Sequence, residues 1–546
     1  MASRKSCAFV AAIGLASCVY GNAGQKPLSE PARSRKPENP LTTELGEYIH
    51  ELLDAYHVPG IAVGVVDGEE IYTEGYGIAT FPDTPATADT LWYGASTSKA
   101  QMSAVLSQMI ASKNYSELAD GWSTPISSII RDDFVLEDEY ATAHITLDDA
   151  ASHRTGLGVH DIAGQARVDG RVVKPRDVVR NMRNLRMVSE PRVKFLYNNF
   201  MFVTLSHVIE SLTGKWLGDV LRERLWAPLG MDSTYFEVKD ALEAPEHFAD
   251  GYAWDSKKEE FARVEYMNVT EVSGAGGVIS NVKDYARWAR CLVNRAAPLE
   301  EEVHADIRIP RSIMDPKPSK GVDVTLYGVG WMRTTFHGRV LYHHSGGMHA
   351  FGAEVFWLPE VKFAVVSFGN TAVTSNSVQE VVIYRLMADK LGLPEEERFD
   401  LDSVQRKALA DGRKTREKAI EKLFPDVPAE PLPSSFDLEE LAGVYYDAGY
   451  GTLDLRVDED LEGSGGKVLV ADRSNMTFAG AMIFEHITGD YWMTRTSLGG
   501  KSDYMIEYAA AKAVAGVDGK PRAWEVKMSP NAKEAGDGLV VWERVE

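Results

Sequence analysis

A serine and a lysine three residues apart stand at the start of a segment with helical periodicity. The segment begins Ser96-Thr97-Ser98-Lys99, and the apolar residues that follow recur at the spacing of one helix face: Met102, Val105, Leu106, Met109 and Ile110. Residues three apart on a helix are neighbours, so the Ser96 hydroxyl and the Lys99 amine share a face. A lysine in a closed, desolvated site loses its charge and can activate a serine. The alternative is a capping serine followed by a solvated lysine.

A Tyr-x-Asn sequence precedes a second predicted helix. Tyr197-Asn198-Asn199 lies in the turn before an apolar-periodic segment that Gly214 ends. A tyrosine beside a cation has a lowered pKa and can relay a proton. The asparagine can bind a substrate amide and the lysine. The alternative is an Asn-Asn turn next to a half-buried tyrosine.

A His-x-Gly-Gly sequence, His344-Ser345-Gly346-Gly347, lies between an apolar stretch and the predicted strand 351–358. The alternative is a glycine hairpin with an incidental histidine. His343, His344 and His349 lie close together in the sequence, but we expect them to hold no metal. The adjacent His343 and His344 would point to opposite faces of a strand, and no spacing marks a third ligand.

Together and in this order, the three motifs resemble those of the serine β-lactamase-related and penicillin-binding-protein-like hydrolases. The sister set in class A β-lactamases is Ser-x-x-Lys, Ser-Asp-Asn and Lys-Thr-Gly. Here Tyr197-x-Asn199 looks like the Tyr-x-Asn variant of class C β-lactamases, D-peptidases and related esterases. His344-x-Gly346 looks like a replacement for Lys-Thr-Gly. Connecting phrases such as Ser152-His-Arg-Thr-Gly-Leu157 also match, and the resemblance covers roughly residues 41–395.

The resemblance implies an α+β fold, an antiparallel sheet flanked by helices plus an all-helical subdomain, with the site at their junction. It implies a serine hydrolase that forms an acyl-enzyme at Ser96 on an amide, D-amino-acid peptide, lactam or ester. Lys99 and Tyr197 would share the acid–base work, and the amides of Ser96 and Gly347 would form the oxyanion hole. The predicted site residues are Ser96, Lys99 and Tyr197 for catalysis, and Asn199, His344, Ser345 and Gly347 for substrate binding.

Histidine in place of lysine at position 344 weakens the recognition of a substrate carboxylate, because imidazole is mostly uncharged at neutral pH. This shifts the expectation from lactams toward D-amino-acid peptides, amides or esters. Two alternatives stay open. One is an acyltransferase that uses the same residues, and the other is a non-catalytic binding protein on the same scaffold.

The composition limits the possible partners. The 546 residues carry a formal net charge of −22, which argues against nucleic acid and anionic membranes. No cofactor fingerprint stands out, so we expect no cofactor and no metal. After residue 25 no stretch is long and apolar enough to span a bilayer. The expected partner is a small-molecule or peptide substrate.

The amino-terminal 23 residues look like a secretory signal, with Arg4 and Lys5 before an apolar stretch and a small-residue cleavage site after Ala23. We therefore expect a secreted protein. A lipid anchor on Cys18 is the alternative, because residues 15–18 resemble a bacterial lipobox. Three sequons, at Asn114, Asn268 and Asn475, are glycosylation candidates if the source is eukaryotic. Cys291, in an apolar run, is expected to be a buried small hydrophobe.

Changes in composition and in hydrophobic patterning along the sequence predict the remaining domain boundaries. Residues 24–40 are predicted to be a flexible lead, 41–395 the catalytic domain, and 396–435 a helical and proline-rich linker. From residue 436 to 546 short alternating strands predict a second, all-β domain, and Leu453, Leu455 and Val457 share one face. Several members of the family have such an appended lipocalin-like barrel. The domain is either a passive stabilising module or a selector at the cleft.

Overall fold

The computed structural model describes residues 38–168, 170–318, 322–412, 415–459, 466–497, 506–528 and 538–545. The predicted secretory signal, the possible lipid site at Cys18 and almost all of the predicted lead lie outside these residues. Residues 39–546 form one compact unit. Within the described residues, no helix is long and apolar enough to cross a membrane.

A nine-stranded antiparallel sheet lies at the centre of the amino-terminal part. It brings the ends of the region together, because the strand Gly60–Asp67 pairs with Phe363–Gly369. In spatial order the strands are Ser312–Asp315, Thr325–Tyr327, Met332–Phe336, Arg339–Met348, Phe351–Leu358, Phe363–Gly369, Gly60–Asp67, Glu70–Thr80 and Thr84–Pro85.

Helices cover both faces of the sheet, and the strand Gly60–Asp67 shows why its sequence is apolar throughout. Ile61, Val63 and Val65 belong to the core beneath helices Thr43–Tyr56 and Thr374–Lys390. Alternate residues such as Ala62 belong to the core on the opposite face, which includes helix Val282–Asn294. A strand that is buried on both faces needs no polar alternation.

A layer rich in helices is formed by the residues that lie, in sequence, between the strands Thr84–Pro85 and Ser312–Asp315. Two small hairpins interrupt it, Arg167–Val168 with Arg171–Val172 and Gly251–Asp255 with Glu260–Val264. The α-helices of this region are Ser98–Ser112, Ile126–Ile129, Glu139–His144, Leu147–Ala151, Pro175–Asn181, Asn199–Thr213, Leu217–Leu221, Ala227–Leu229, Val238–Leu242, Val282–Asn294 and Glu301–Asp306.

The carboxy-terminal part is a closed antiparallel barrel of eight strands, as the alternating pattern predicts. The first and last strands close it, with Tyr445 opposite Arg544. Leu453 and Leu455 are buried, and Val457 on the same face is half-buried. The strands are Gly443–Asp447, Gly451–Glu459, Lys467–Asp472, Ala481–Thr488, Tyr491–Ser497, Ile506–Ala515, Pro521–Lys527 and Leu539–Arg544. The predicted fold class, an α+β sheet-and-helix part followed by an all-β domain, is therefore confirmed.

Two helices, Leu401–Gly412 and Thr415–Leu423, connect the two parts, and a short helix, Leu438–Leu441, leads into the barrel. The barrel contacts the helical layer directly. Tyr450 Oη lies 2.6 Å from His160 Nδ1, and Asn181 Nδ2 donates to the Gly449 carbonyl. The barrel and the helical layer therefore pack against each other. The predicted domain boundaries stay predictions.

Candidate active site

Ser96 lies in a tight 3-10 turn, Ala95–Thr97, that leads directly into helix Ser98–Ser112. The turn places Ala95 at φ +45°, a region that non-glycine residues rarely adopt. Hydrogen bonds from the hydroxyls of Thr97 and Ser98 to the carbonyls of Gly94 and Ala95 hold it. Such strain is commonly found at functional sites. Ser96 is half-buried and lines a cavity, whereas the helix behind it is buried.

Lys99 is completely buried, and its amine has three partners. Nζ lies 3.0 Å from Ser96 Oγ, 2.8 Å from Asn199 Oδ1 and 2.7 Å from the Ala275 carbonyl. The last two atoms only accept hydrogen bonds. A neutral amine can give its two hydrogens to these acceptors, which leaves its lone pair directed at the Ser96 hydroxyl. This geometry suits a base that removes the hydroxyl proton.

Burial lowers the pKa of Lys99 from its usual value near 10.5 to about 7, because the charged ammonium is desolvated. The carboxyl group of Asp161 acts in the opposite direction and raises this pKa. At neutral pH a substantial fraction of Lys99 is therefore uncharged, as a general base requires.

Tyr197 completes the group around Ser96. Its phenol makes a hydrogen bond with Ser96, and Lys99 Nζ lies 4.9 Å from the centre of its ring. Burial raises the pKa of Tyr197 above its usual value, and the Ser96 hydrogen bond opposes this only in part. The phenol therefore keeps its proton at neutral pH. In this arrangement Tyr197 can donate a proton more readily than it can remove one.

Asn199 is the first residue of helix Asn199–Thr213 and joins two parts of the site. Its Oδ1 accepts from Lys99, and its Nδ2 donates to both carboxyl oxygens of Asp161 at 3.0 and 3.1 Å. Both ends of the amide are thus engaged. Asn199 lines the cavity beside Ser96, but its amide primarily fixes Lys99.

His344 lies beneath the site and is 1% exposed. Its Nδ1 is 2.6 Å from the Ser345 carbonyl, an acceptor, so this nitrogen carries the hydrogen. Its Nε2 therefore accepts, and the Tyr327 hydroxyl donates to it at 2.9 Å. Burial lowers the pKa of His344 to about 3, so the ring is neutral and holds no substrate carboxylate by charge. Neither His344 nor Ser345 lines the cavity that contains Ser96.

The strand Arg339–Met348 passes directly behind the Ser96 turn. A Cβ atom at Gly346 would lie 2.5 Å from the Gly94 carbonyl oxygen, so only glycine permits this approach. Gly347 is exposed and lines the same cavity as Ser96, and a Cβ there would meet nothing. The two residues whose backbone amides are predicted to form the oxyanion hole, Ser96 and Gly347, thus line one cavity.

His153 supports the Tyr197 turn from below and is fully buried. Its Nδ1 accepts a hydrogen bond from the Asn198 backbone N–H at 3.0 Å, and its ring packs against that of Tyr197 with centres 4.3 Å apart. Burial and the nearby Lys99 lower the pKa of His153 well below its usual value. Its backbone has φ +59°, a strained value for histidine.

The barrel contributes to the cavity through the segment between two of its strands. Thr477 and Phe478 line the cavity together with Ser96. Backbone pairing fixes the segment: Thr477 N–H donates to the Gly164 carbonyl at 2.9 Å, and Met476 forms a β-bridge with Gln165. The cavity is small, about 50 Å³, which is room for only a few water molecules.

Several residues of the site could not be predicted from the sequence. Asp161, Tyr327 and Phe478 belong to no motif, and Thr477 belongs only to the sequon at Asn475. The positions of all four in the site depend on long-range packing that spacing does not show. Cys291 is a buried free thiol, as expected. Among the described residues, no group of three histidine, cysteine, aspartate or glutamate side chains is placed to hold a metal.

Comparison with known proteins identifies the family. The model of the Beta-lactamase family matches residues 45–387. The chain belongs to the Beta-lactamase family. The unguisins hydrolase of Aspergillus campestris is 35% identical over 496 residues, which cover 90% of each chain. The D-aminopeptidase of Brucella anthropi is 26% identical over 304 residues, 55% of each chain. Membership of the family and the hydrolases among its relatives support an amide hydrolase in general.

Among solved structures, the octameric penicillin-binding protein homologue from Pyrococcus abyssi covers 91% of this chain and 99% of its own. Its TM-score is 0.55 at 18% identity. This likeness concerns the fold alone. It extends over both the sheet-and-helix part and the barrel.

Proposed function

We propose that this Beta-lactamase family member is a serine amidohydrolase that forms an acyl-enzyme at Ser96. The observation that carries the proposal is the 3.0 Å contact between Ser96 Oγ and the amine of Lys99, whose burial brings its pKa to about 7. Neutral Lys99 takes the hydroxyl proton as Ser96 Oγ attacks the carbonyl carbon. The amides of Ser96 and Gly347 stabilise the resulting oxyanion.

The same groups then help the leaving group to depart and the acyl-enzyme to be hydrolysed. Tyr197, which keeps its proton at neutral pH, donates it to the leaving nitrogen as the carbon–nitrogen bond breaks, and Lys99 returns a proton to Tyr197. Water then attacks the carbonyl carbon of the acyl-enzyme and gives a proton to Lys99. As the ester bond breaks and the acid leaves, Lys99 passes this proton to Ser96 Oγ, which restores both groups.

We propose amides next to a D-amino acid as the substrate class. Two relatives support this choice, the D-aminopeptidase and the unguisins hydrolase. The neutral state of His344, whose two nitrogens are already engaged, argues against lactams that need a bound carboxylate. The intact set of Ser96, Lys99 and Tyr197 argues against a non-catalytic binding protein.

A panel of chromogenic substrates tests the proposal: D- and L-amino-acid nitroanilides, a lactam and a short-chain ester. We expect turnover of the D-nitroanilides and its loss in Ser96→Ala, with the melting temperature nearly unchanged. Ser112→Ala is a control at the far end of the following helix, because its hydroxyl donates to the Met109 carbonyl and does not line the cavity. Addition of an amine acceptor separates hydrolysis from acyl transfer, because a transferase would form the amide of that acceptor. Full activity of Ser96→Ala would contradict the proposal.

We also propose that the protein is secreted, on the strength of the charged and then apolar amino terminus. Amino-terminal sequencing of exported protein should give a chain that begins near Gly24 and carries no lipid. A lipid on Cys18 would contradict secretion in soluble form.

A further inference from the structure

Asp161, whose charge raises the pKa of Lys99, is the first residue of a short 3-10 turn, Asp161–Ala163. Its carboxyl group is linked to Lys99 through the Asn199 amide, so its distance from Lys99 depends on where this turn lies. A turn of three residues makes few hydrogen bonds of its own, and their geometry is poor. The position of Asp161 therefore depends on the groups that hold the turn from outside.

Tyr450, in the loop between the first two barrel strands, holds the residue before the turn. Its Oη lies 2.6 Å from His160 Nδ1, and His160 Nε2 lies 3.0 Å from the Arg186 carbonyl oxygen. Burial lowers the pKa of His160 below its usual value, which keeps the ring neutral. Because a carbonyl only accepts, the hydrogen of the neutral ring is on Nε2. Nδ1 therefore accepts, and the Tyr450 hydroxyl is the donor.

Arg473 holds the turn from the other side. It follows the barrel strand Lys467–Asp472 and is 5% exposed. Its guanidinium donates to three backbone carbonyls, those of Thr452 at 3.2 Å, Tyr450 at 3.0 Å and Ile162 at 3.3 Å. The first two belong to the barrel and the third to the turn. One side chain thus joins two segments of the barrel to the turn that carries the carboxyl group.

A buried arginine is a costly way to make these contacts. Among the described residues no carboxylate pairs with Arg473, and burial lowers its pKa to about 10, so the side chain is still charged at neutral pH. A buried charge without a counter-ion costs free energy, which carbonyl oxygens offset only in part. The planar guanidinium can, however, bind several carbonyls in one fixed geometry. The arrangement therefore favours a role in positioning over one in stability.

Other titratable groups surround the link from Lys99 to Asp161: His153, Tyr197, Glu271, His344, Tyr450 and Glu507. Burial keeps the histidines neutral and the tyrosines protonated. It also raises the pKa of Glu507, and that of Glu271 to about 7. Of the described groups, Asp161 is the one whose charge changes the pKa of Lys99.

We propose that Tyr450 and Arg473 are positioning residues, which hold the turn of Asp161 against Asn199 and thereby determine the pH range in which Lys99 acts as a base. The inference rests on the proposed function and gives the barrel a part in it. Neither barrel residue lines the cavity beside Ser96. Both act on the reaction through the position of the Asp161 carboxyl group.

The pH profile of kcat/KM on a D-alanine nitroanilide tests the inference in two variants. Tyr450→Phe keeps the ring and removes one donor, and Arg473→Met keeps an unbranched side chain and removes the guanidinium. In each, the acid limb should move at least about 0.5 pH unit toward lower pH, the effect of a carboxyl group that withdraws from about 7 to about 10 Å from Lys99 Nζ. A limb that stays in place or moves upward would overturn the role of that residue.

Arg544→Met is the matched control for a general weakening of the barrel. Arg544 also donates to backbone carbonyls, those of Glu440 at 2.7 Å and Ala442 at 2.9 Å, which lie at the start of the barrel. We expect a lower melting temperature and an acid limb that does not move. An equal movement of the limb in this control would overturn the inference, because any loosening of the barrel would then suffice.

The route through Asp161 is tested by combining the substitutions with Asp161→Asn. Once the charge of Asp161 is removed, neither Tyr450→Phe nor Arg473→Met should move the acid limb further. A further movement would overturn the inference, because the two residues would then act on Lys99 by another route.

A titration of Lys99 makes the outcome independent of turnover. In the Ser96→Ala background, the rate at which acetic anhydride acetylates Lys99 between about pH 5 and 9, followed by peptide mass spectrometry, reports the fraction of neutral amine. Its midpoint should be lower in Tyr450→Phe and Arg473→Met than in the parent. If the wild-type protein hydrolyses no substrate, the proposed function fails, and this titration still decides the role of the two residues. Equal midpoints would overturn it.

Discussion

Removal of the charge of Asp161 should extend the activity of the enzyme to lower pH than in the wild type. Asp161 is the group that raises the pKa of Lys99, while burial lowers that pKa to about 7. The two hydrogen bonds across the Asn199 amide place the carboxyl group roughly 7 Å from Lys99 Nζ. At an effective dielectric constant of about 20, this separation corresponds to about 2 kcal/mol, or about 1.5 pKa units.

In Asp161→Asn the pKa of Lys99 should fall by about this amount, because the ammonium loses its stabilising charge. Neutral Lys99 is the active base, so the acid limb of kcat/KM should move from near pH 7 toward about pH 5.5. The new amide oxygen can still accept from Asn199 Nδ2, so one of the two hydrogen bonds that position Asn199 remains. The assay is the pH profile of a D-alanine nitroanilide between about pH 4.5 and 9. An acid limb that stays in place or moves upward would refute the assignment of Lys99 as the base.

Further substitutions test other parts of the account. Lys99→Ala and Tyr197→Phe should each reduce kcat/KM strongly, and the double variant should lose little more than either one, because the two act as one unit. Fully additive losses would show that Tyr197 acts separately. Gly346→Ala should lower the free energy of unfolding by about 1–3 kcal/mol, seen as a lower melting temperature, because its Cβ would meet the Gly94 carbonyl. Gly347→Ala, with open space around its Cβ, should melt as wild type does. His153→Asn, which tolerates the positive φ but has a shorter side chain, should lower kcat at least about 10-fold with little change in KM. A change in KM alone would contradict a positioning role.

Local sequence patterns predicted the elements that carry the site. The apolar periodicity after Lys99 and the glycine at position 214 correspond to helices Ser98–Ser112 and Asn199–Thr213, and Gly214 ends the second with φ +67°. Residues three apart are neighbours on a helix, so the sequence predicts that Ser96 and Lys99 lie close together. The barrel strands were predictable for the same reason, because alternation is a local pattern. The 3-10 turn that carries Ser96 and the contacts of Lys99 with Asn199 and Ala275 were not predictable from spacing.

The environment of those residues was not predictable in the same way. Asp161 reaches Lys99 only through Asn199, and Thr477 reaches the cavity from a domain more than 300 residues away in sequence. Such placements depend on how separate elements pack against each other, and the spacing of residues in the sequence does not predict this. The environment of His344 was not predictable either, because its neutral state depends on burial and its Nε2 is paired with Tyr327, a residue that no motif marks.

The most direct test of the central claim is the mass of the protein during turnover. After rapid acid quench with a D-amino-acid ester, which acylates faster than an amide, the intact mass should increase by that of the acyl group. Peptide mapping should then place the addition on Ser96. Tyr197→Phe should accumulate less adduct, and Ser96→Ala should show none. A labelled residue other than Ser96, or turnover that continues in Ser96→Ala, would contradict the account.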